Sequence, residues 1–445
     1  MRRNDFGENF IWGIACSAYQ IEGAHNIDGK GISIWDVFSE KRNKIANRED
    51  GKTACDFYHR YPEDLANIKS LNIPNFRFSI AWTRLIPEGT GKINYKGIDF
   101  YNKIIDGCIE LGITPWITLY HWDLPYYLEL KGGWTNRNII QWFENYVELC
   151  VQQFGDRVKH WMVLNEPVAF TGAGYFLGIH APGKRGVENY LSSVHHAALC
   201  QAEGARIIKG YYPNSQVGST FSYSHVDAHT ETKKDYLAVE KIDALLNRLF
   251  IEPSLGMGYP TEKLPFLNKI ETFIKPGDYK RLQYNFDFIG LQTYTREVVK
   301  HSFFTPVINA VPVNAKERNV SRTLMNWEIH PPSIYQAIKR MDSYSGVKKI
   351  YITENGAAFN DIIIDNSIQD QQRIKYLDTH LQEVLRAKEE NMKVEGYFVW
   401  SLTDNFEWAE GYHPRFGLIY VDFKTQKRII KQSGYWYKKF LENRN

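Results

Sequence analysis

Eight short apolar runs, each followed by a segment with helical periodicity, constrain this chain more than any other feature of its sequence. The runs fall at residues 10–18, 75–82, 114–122, 160–167, 216–224, 286–294, 349–356 and 394–402. Long apolar stretches of this kind read as strands buried on both faces. Between them lie the helical stretches. One opens at Pro62, with Glu63 and Asp64 in a first turn where acids complement the helix dipole. Another spans 96–111, with Ile98, Tyr101, Ile105 and Cys108 on one face and Gly112 ending it. A third is capped by Asn136 and runs to Phe154. Others are expected at 188–209, 236–250, 333–342 and 374–384, with a last amphipathic helix at 434–441. Parallel strands need such crossovers, and eight of them close a (β/α)8 TIM barrel. An open doubly wound sheet is the alternative. It lacks its Gly-x-Gly-x-x-Gly turn after the first strand.

At 445 residues the length alone would allow about three domains. No linker rich in Pro, Gly or Ser divides the chain, and no low-complexity segment or short repeat appears. The reading is therefore α/β, a single barrel domain over residues 1–445 with enlarged βα loops. Residues 295–332 lack periodicity and are expected to form one long loop. A net charge of +3 and the absence of a basic block exclude a strongly electrostatic nucleic-acid binder. No apolar run is long enough for a membrane span. The N-terminus lacks the apolar core of a signal peptide. Five cysteines, an odd number without Cys-x-x-Cys, read as buried free thiols in a reducing compartment, so a cytoplasmic location is expected. Aromatic residues make up 15%, with 12 Trp and 28 Tyr, which suits sugar faces and protein interfaces alike.

Barrel active sites lie at the C-terminal ends of the strands. Gln20 follows the first run, and the second carries Arg77, with Trp82 near its end. The third ends in His121-Trp122-Asp123, the fourth in Asn165-Glu166, the sixth in Tyr294 and the seventh in Glu354. Trp400 ends the eighth, followed by Asp404-Asn405-Phe406-Glu407-Trp408. Asn355-Gly356 reads as the turn that stops the seventh strand and leaves Glu354 on the rim. A lone Glu354 would be a capping or solvated acid, but polar ends on so many strands ask for more than capping.

Glu166 and Glu354 end strands that face each other across an eight-stranded ring. Two carboxylates flanking one site are what glycosidic cleavage requires, one as a protonated acid and the other as an ionised nucleophile or base. Arg77 is the cation that would hold one of them ionised, and Tyr294 could donate a hydrogen bond to the same group. Asn165 would hold a sugar hydroxyl or orient its neighbour. His121 stands alone at its strand end, and His195-His196 are adjacent on an expected helix. Neither has metal-ligand spacing, so His121 reads as a neutral partner for a sugar hydroxyl, and no metal or cofactor is expected.

These residues carry a resemblance to glycoside hydrolase family 1, the β-glucosidase family, over almost the whole length. The matching stretches are SAYQIEG (17–23), RFSIAW (77–82), YHWDLP (120–125), LNEP (164–167), HAPG (180–183), ITENG (352–356) and WSLTDNFEWAEGY (400–412). The resemblance implies a (β/α)8 barrel and a retaining mechanism, with Glu166 as acid/base and Glu354 as nucleophile, supported by Arg77 and Tyr294. It places Gln20, His121, Asn165, Glu407 and Trp408 around the non-reducing sugar and Trp400 beneath it. Trp122 belongs with these substrate contacts, and Trp327 would line the aglycone side. The chain departs from the family pattern at Gln292, where Asn is common, at Cys16, where Thr is frequent, and at Thr403, which replaces an apolar residue.

The expected activity is hydrolysis of terminal β-glycosyl residues from β-glycosides or short oligosaccharides. A 6-phospho-β-glycosidase of the same family would carry Ser where Trp408 stands, and Glu410 adds a field unfavourable to phosphate. Glu166 argues against a thioglucosidase, in which Gln holds the acid/base position. A transglycosidase shares the covalent intermediate, and a non-catalytic sugar-binding barrel is the rival from another class. The presence of both Glu166 and Glu354 argues against the latter.

Overall fold

A computed structural model describes residues 1–443 of the chain. The eight apolar runs form β1 (Ile11–Ala15), β2 (Asn75–Ser79), β3 (Thr114–Tyr120), β4 (His160–Asn165), β5 (Gln216–Ser222), β6 (Phe288–Gln292), β7 (Ile350–Asn355) and β8 (Val394–Trp400). Each pairs in parallel with its sequence neighbours, and β8 returns to β1 to close the barrel. The crossovers are α1 (Phe57–Ser70), α2 (Tyr95–Glu110), α3 (Ile139–Phe154), α4 (Val187–Tyr211), α5 (Lys233–Asp243), α6 (Pro332–Asp342) and α7 (Gln371–Glu389), and α8 (Gln432–Glu442) follows β8. Helix α3 turns one apolar stripe to the barrel, whereas α5 packs Ala238 against Val226, Val299 and Ala310 outside it. In α3 that stripe is Ile139, Phe143, Tyr146, Val147, Cys150 and Phe154, all buried at helical spacing.

The barrel interior is filled with aromatic rings rather than branched aliphatics. Trp116 of β3 stacks on His160 of β4 with centroids 3.9 Å apart. It meets Phe288, Tyr351 and Phe398 edge-on from β6, β7 and β8. Rings of this size need small residues opposite them. A Cβ on Gly13 would lie 2.3 Å from Phe398, and one on Gly218 would lie 2.4 Å from Phe288. This layer is the floor on which the polar rim sits.

Several local expectations are corrected. Helix α1 begins at Phe57, so Pro62 lies inside it and leaves the Tyr58 carbonyl without its helical partner. Helix α3 begins at Ile139 rather than at Asn136, whose side chain instead accepts the Asn138 N–H at 2.9 Å. Gln20 sits on a separate helical turn, Ala18–Ile21, past the end of β1. Trp82 turns outward and stacks on Tyr146 of α3 at 4.6 Å, away from the rim. Residues 295–332 are not a structureless loop. Arg296–His301 and Ala310–Pro312 form a three-stranded sheet with His225–Ala228, and short strands at a sheet edge were hidden by their mixed composition. Asn355 belongs to β7 and is no turn residue: its amide donates to the Thr293 carbonyl at 2.6 Å. Gly356 allows the Trp400 carbonyl to approach, since a Cβ there would lie 1.9 Å from that oxygen.

A buried ion network ties the segment after β8 to α7 and α8. Lys431, with no exposed surface, binds Asp404 at 2.6 Å and Asp361 at 2.5 Å. Arg415 and Arg373 complete the pairing of the same two acids. Removing one partner from such a network strands the others in a dry environment. Lys431→Met should therefore destabilise the fold by about 3–5 kcal/mol. A urea titration checks this, and a midpoint equal to that of the wild type would contradict it.

Candidate active site

The open C-terminal end of the barrel holds a cavity of about 340 Å³. Its walls include Glu166, Glu354, Tyr294, His121, Trp122, Trp327, Trp400, Glu407 and Trp408, nine of the residues singled out from sequence. Arg77, Gln20 and Asn165 stand behind these walls and act through them.

Glu354 is 3% exposed, near the end of β7. Its Oε1 accepts hydrogen bonds from a guanidinium nitrogen of Arg77 and from Gln292 Nε2, the latter at 2.6 Å. Its Oε2 accepts from the Tyr294 hydroxyl at 2.6 Å. Three donors, one of them cationic, favour the ionised form and oppose the burial that pushes this carboxyl up.

Glu166 is in a different setting. It follows β4 as the first residue past the strand, with φ of 42°, a left-handed conformation uncommon for a side-chain-bearing residue. Its backbone N–H donates to the Thr220 carbonyl at 3.0 Å, and Pro167 starts a short helix after it. Burial holds its carboxyl well above the ordinary range, and the Glu354 charge raises it further. The cation sits on Glu354, so Glu166 is the member of the pair that keeps a proton.

Asn165 locks these groups together. Its Oδ1 accepts from Arg77, from Gln292 at 2.7 Å and from the Thr220 hydroxyl at 3.0 Å. Its Nδ2 therefore points to His121 Nε2, 3.1 Å away. Burial, followed by the Arg77 charge, keeps His121 well below the usual histidine range, so the ring is neutral. Gln292, a departure from the family pattern, reaches both Asn165 and Glu354, and its own Oε1 is buried without a partner.

On the other side, Gln20 Nε2 donates to Asn405 Oδ1 and to the Phe406 carbonyl at 3.0 Å each, and reaches Glu407 Oε2 at 3.4 Å. Gln20 thus aligns Glu407, which itself faces the cavity. Burial raises Glu407 to about 8, with Glu354 adding to the shift. Trp408 has φ of 51° and lies parallel to Tyr19 at 6.0 Å. Trp122, with φ of 80°, packs on Trp408 at 4.7 Å and donates its Nε1–H to the Asn165 carbonyl at 2.9 Å. Trp327 packs on Tyr294 at 5.2 Å.

The arrangement presents one carboxyl bound by a cation and two neutral donors, a second raised by burial with no cation on it, a neutral imidazole and flat indoles. It fits attack on a neutral, hydroxyl-rich ring. No group of acids, histidines or cysteines among the described residues could hold a metal ion. Sequence reasoning missed Ser222, Ser224, Glu297, Met325 and Phe416, which also line the cavity. No pattern along 296–301 marks Glu297, because its polar and apolar residues fall in pairs rather than alternating.

Known proteins resemble this chain over its whole length. The model of glycosyl hydrolase family 1 matches residues 2–445. Beta-glucosidase A of Thermotoga maritima is 42% identical over 445 residues, covering 100% of this chain and 99% of that protein. A 1,4-beta-D-glucan glucohydrolase of Thermotoga neapolitana is 42% identical over 440 residues, covering 98% of each. The solved structure of a beta-glucosidase from Thermotoga maritima in complex with glucoimidazole superposes with a TM-score of 0.94 at 42% identity, covering 98% of this chain and 99% of that one.

Tyr294→Phe removes one donor from Glu354 and leaves the aromatic packing in place. The ionised carboxylate loses a stabiliser, so Glu354 should take up its proton at higher pH than in the wild type. Carbon-13 NMR of labelled glutamates checks this, and an unshifted titration would show that the hydroxyl does not tune Glu354.

Proposed function

This chain belongs to glycosyl hydrolase family 1, and from that premise we propose that it is a retaining β-glucosidase acting on unphosphorylated β-glucosides or short β-linked oligosaccharides. The observation that carries the reading is the unequal treatment of two facing carboxyls. Glu354 is bound by Arg77, Gln292 and Tyr294, whereas Glu166 is raised by burial and by the Glu354 charge. The names of the full-length relatives support glucosides as substrates. No Lys or Arg lines the cavity among the described residues, which supports a neutral rather than a phosphorylated sugar.

In this mechanism Glu354 attacks the anomeric carbon while Glu166 gives its proton to the departing oxygen. The glycosidic bond breaks, and a glycosyl ester of Glu354 forms. Glu166, now ionised, takes a proton from water, and the resulting hydroxide attacks the same carbon from the face the leaving group vacated. The ester bond breaks, Glu354 is regenerated, and the sugar leaves with its configuration retained. Glu407 and His121 hold sugar hydroxyls, with Gln20 aligning Glu407 and Asn165 orienting His121 from behind. Trp400 lies beneath the ring, and Trp122 and Trp408 border it. Trp327 faces the leaving group. Five buried free thiols support a reducing, cytoplasmic setting for a single barrel domain.

The rate should follow a bell-shaped pH profile. Activity needs Glu354 ionised, so it falls as pH drops through that group. It needs Glu166 protonated, so it falls as pH rises through the elevated pKa of Glu166. Glu354→Ala should lower kcat by at least about 10⁴-fold, and Glu166→Ala should lower it by roughly 10²- to 10⁴-fold. Proton NMR of the first-formed sugar from an aryl β-glucoside decides the stereochemistry: an α-anomer would refute retention, and near-normal turnover by Glu354→Ala would refute the nucleophile.

A further inference from the structure

The cavity wall on the leaving-group side carries a carboxylate that this mechanism does not use. Glu297 lies on Arg296–His301, which pairs with His225–Ala228 beyond the open ends of β5 and β6. Alternation along that strand sends Arg296 to Asp227 at 2.8 Å and to Glu328 at 2.9 Å, on the face away from the cavity. Glu297, one residue on, faces the cavity. It is half-buried, and no hydrogen bond or ion pair engages its carboxyl among the described residues. Burial raises its carboxyl above the ordinary range, and the cation that opposes this is Arg318, whose guanidinium is already committed to Glu328 at 2.7 Å and to the Val313 carbonyl at 3.0 Å.

Its place in the ring sets its role. Gln20 and Glu407 follow β1 and β8, whereas Ser222 and Ser224 flank the end of β5, and Glu297 follows β6, on the opposite arc of the barrel. Trp327, beside Tyr294, borders the same arc. A group leaving the sugar toward this wall meets two hydroxyls, an indole and one unpaired carboxylate. With no Lys or Arg among the described residues lining the cavity, nothing there offsets a negative charge on the leaving group.

We propose that Glu297 selects the leaving group by charge, favouring aglycones that carry a protonated amine and disfavouring anionic ones. The inference rests on the β-glucosidase reading above. A carboxylate that is half out of water and has no partner gains most from a cation that brings its own charge into the cavity.

Phenyl β-glucosides with para aminomethyl, hydroxymethyl and carboxymethyl groups test it. Their kcat/KM values are compared in the wild type, Glu297→Gln and Glu297→Lys, so that differences in leaving-group acidity cancel between proteins. The ratio of cationic to neutral substrate should fall on the order of tenfold in Glu297→Gln, the ratio of anionic to neutral substrate should rise, and Glu297→Lys should reverse the order. Added salt should shrink the wild-type preference. Ratios that are the same in all three proteins would overturn the inference while leaving the β-glucosidase reading intact. Failure of the wild type to hydrolyse even the neutral glucoside would overturn both.

Discussion

A guanidinium with no exposed surface sets the terms for the rest of this site. Arg77 rises from β2 into the middle of the barrel mouth, where water no longer screens it. A buried cation needs an anion, and Glu354 supplies it. The same guanidinium reaches Asn165, while its Nε is held near Thr118 at 3.1 Å. Once that pairing is made, the cation is committed. Glu166 and Glu407 then share a dry cavity in which the cation and the Gln292 and Tyr294 donors all converge on another acid. Burial and the Glu354 charge push both upward. A chemical difference between like side chains thus follows from where one positive charge is placed.

Arg77 is held in position by what lies below it. The aromatic layer of Trp116, Phe288, Tyr351 and Phe398 fills the barrel to the level of Met162, whose sulfur lies 3.0 Å from Arg77 Nε. Replacing these rings by smaller residues would leave a void that water or the guanidinium itself could enter. Gly13 and Gly218 are as necessary to this layer as the rings, because they make the width that the rings occupy.

Much of this was legible in the sequence, and the reason is periodicity. Buried parallel strands are apolar almost throughout, so the eight runs stood out, and a polar residue ending such a run marks the rim. Glu166, Glu354 and Trp400 were visible on that ground. What was hidden lies in segments whose pattern is mixed. The strand Arg296–His301 has Arg, Glu, Lys and His among its six residues and pairs in a small sheet beyond the barrel, so it read as loop. Pro62 reads as a helix start from sequence, because tertiary packing that compensates for one lost hydrogen bond leaves no local signal. Gln292 stands out in sequence as a departure from the family pattern, but its double contact to Asn165 and Glu354 depends on side-chain reach, which the register of β6 against β7 fixes.

The two arcs of the rim are built on different principles. On the sugar side, Trp122 and Trp408 both hold positive φ angles, each at a cost of roughly 1–3 kcal/mol. Packing offsets that cost. Tyr19, Trp35 and Trp122 enclose the Trp408 indole, and Asp404, four residues earlier, is fixed by Lys431 and Arg415. Such a wall tolerates little change, because each ring is held by its neighbours. Beyond Gln292 and Tyr294, the outer part of the opposite arc carries Glu297 on a three-stranded sheet outside the barrel, with the Ser224 hydroxyl beside the β5 end. Changes there need not disturb Arg77, Asn165 or the indole cluster. The barrel therefore separates a strained, tightly packed wall from an adjustable one, and it does so by giving each its own set of strand ends.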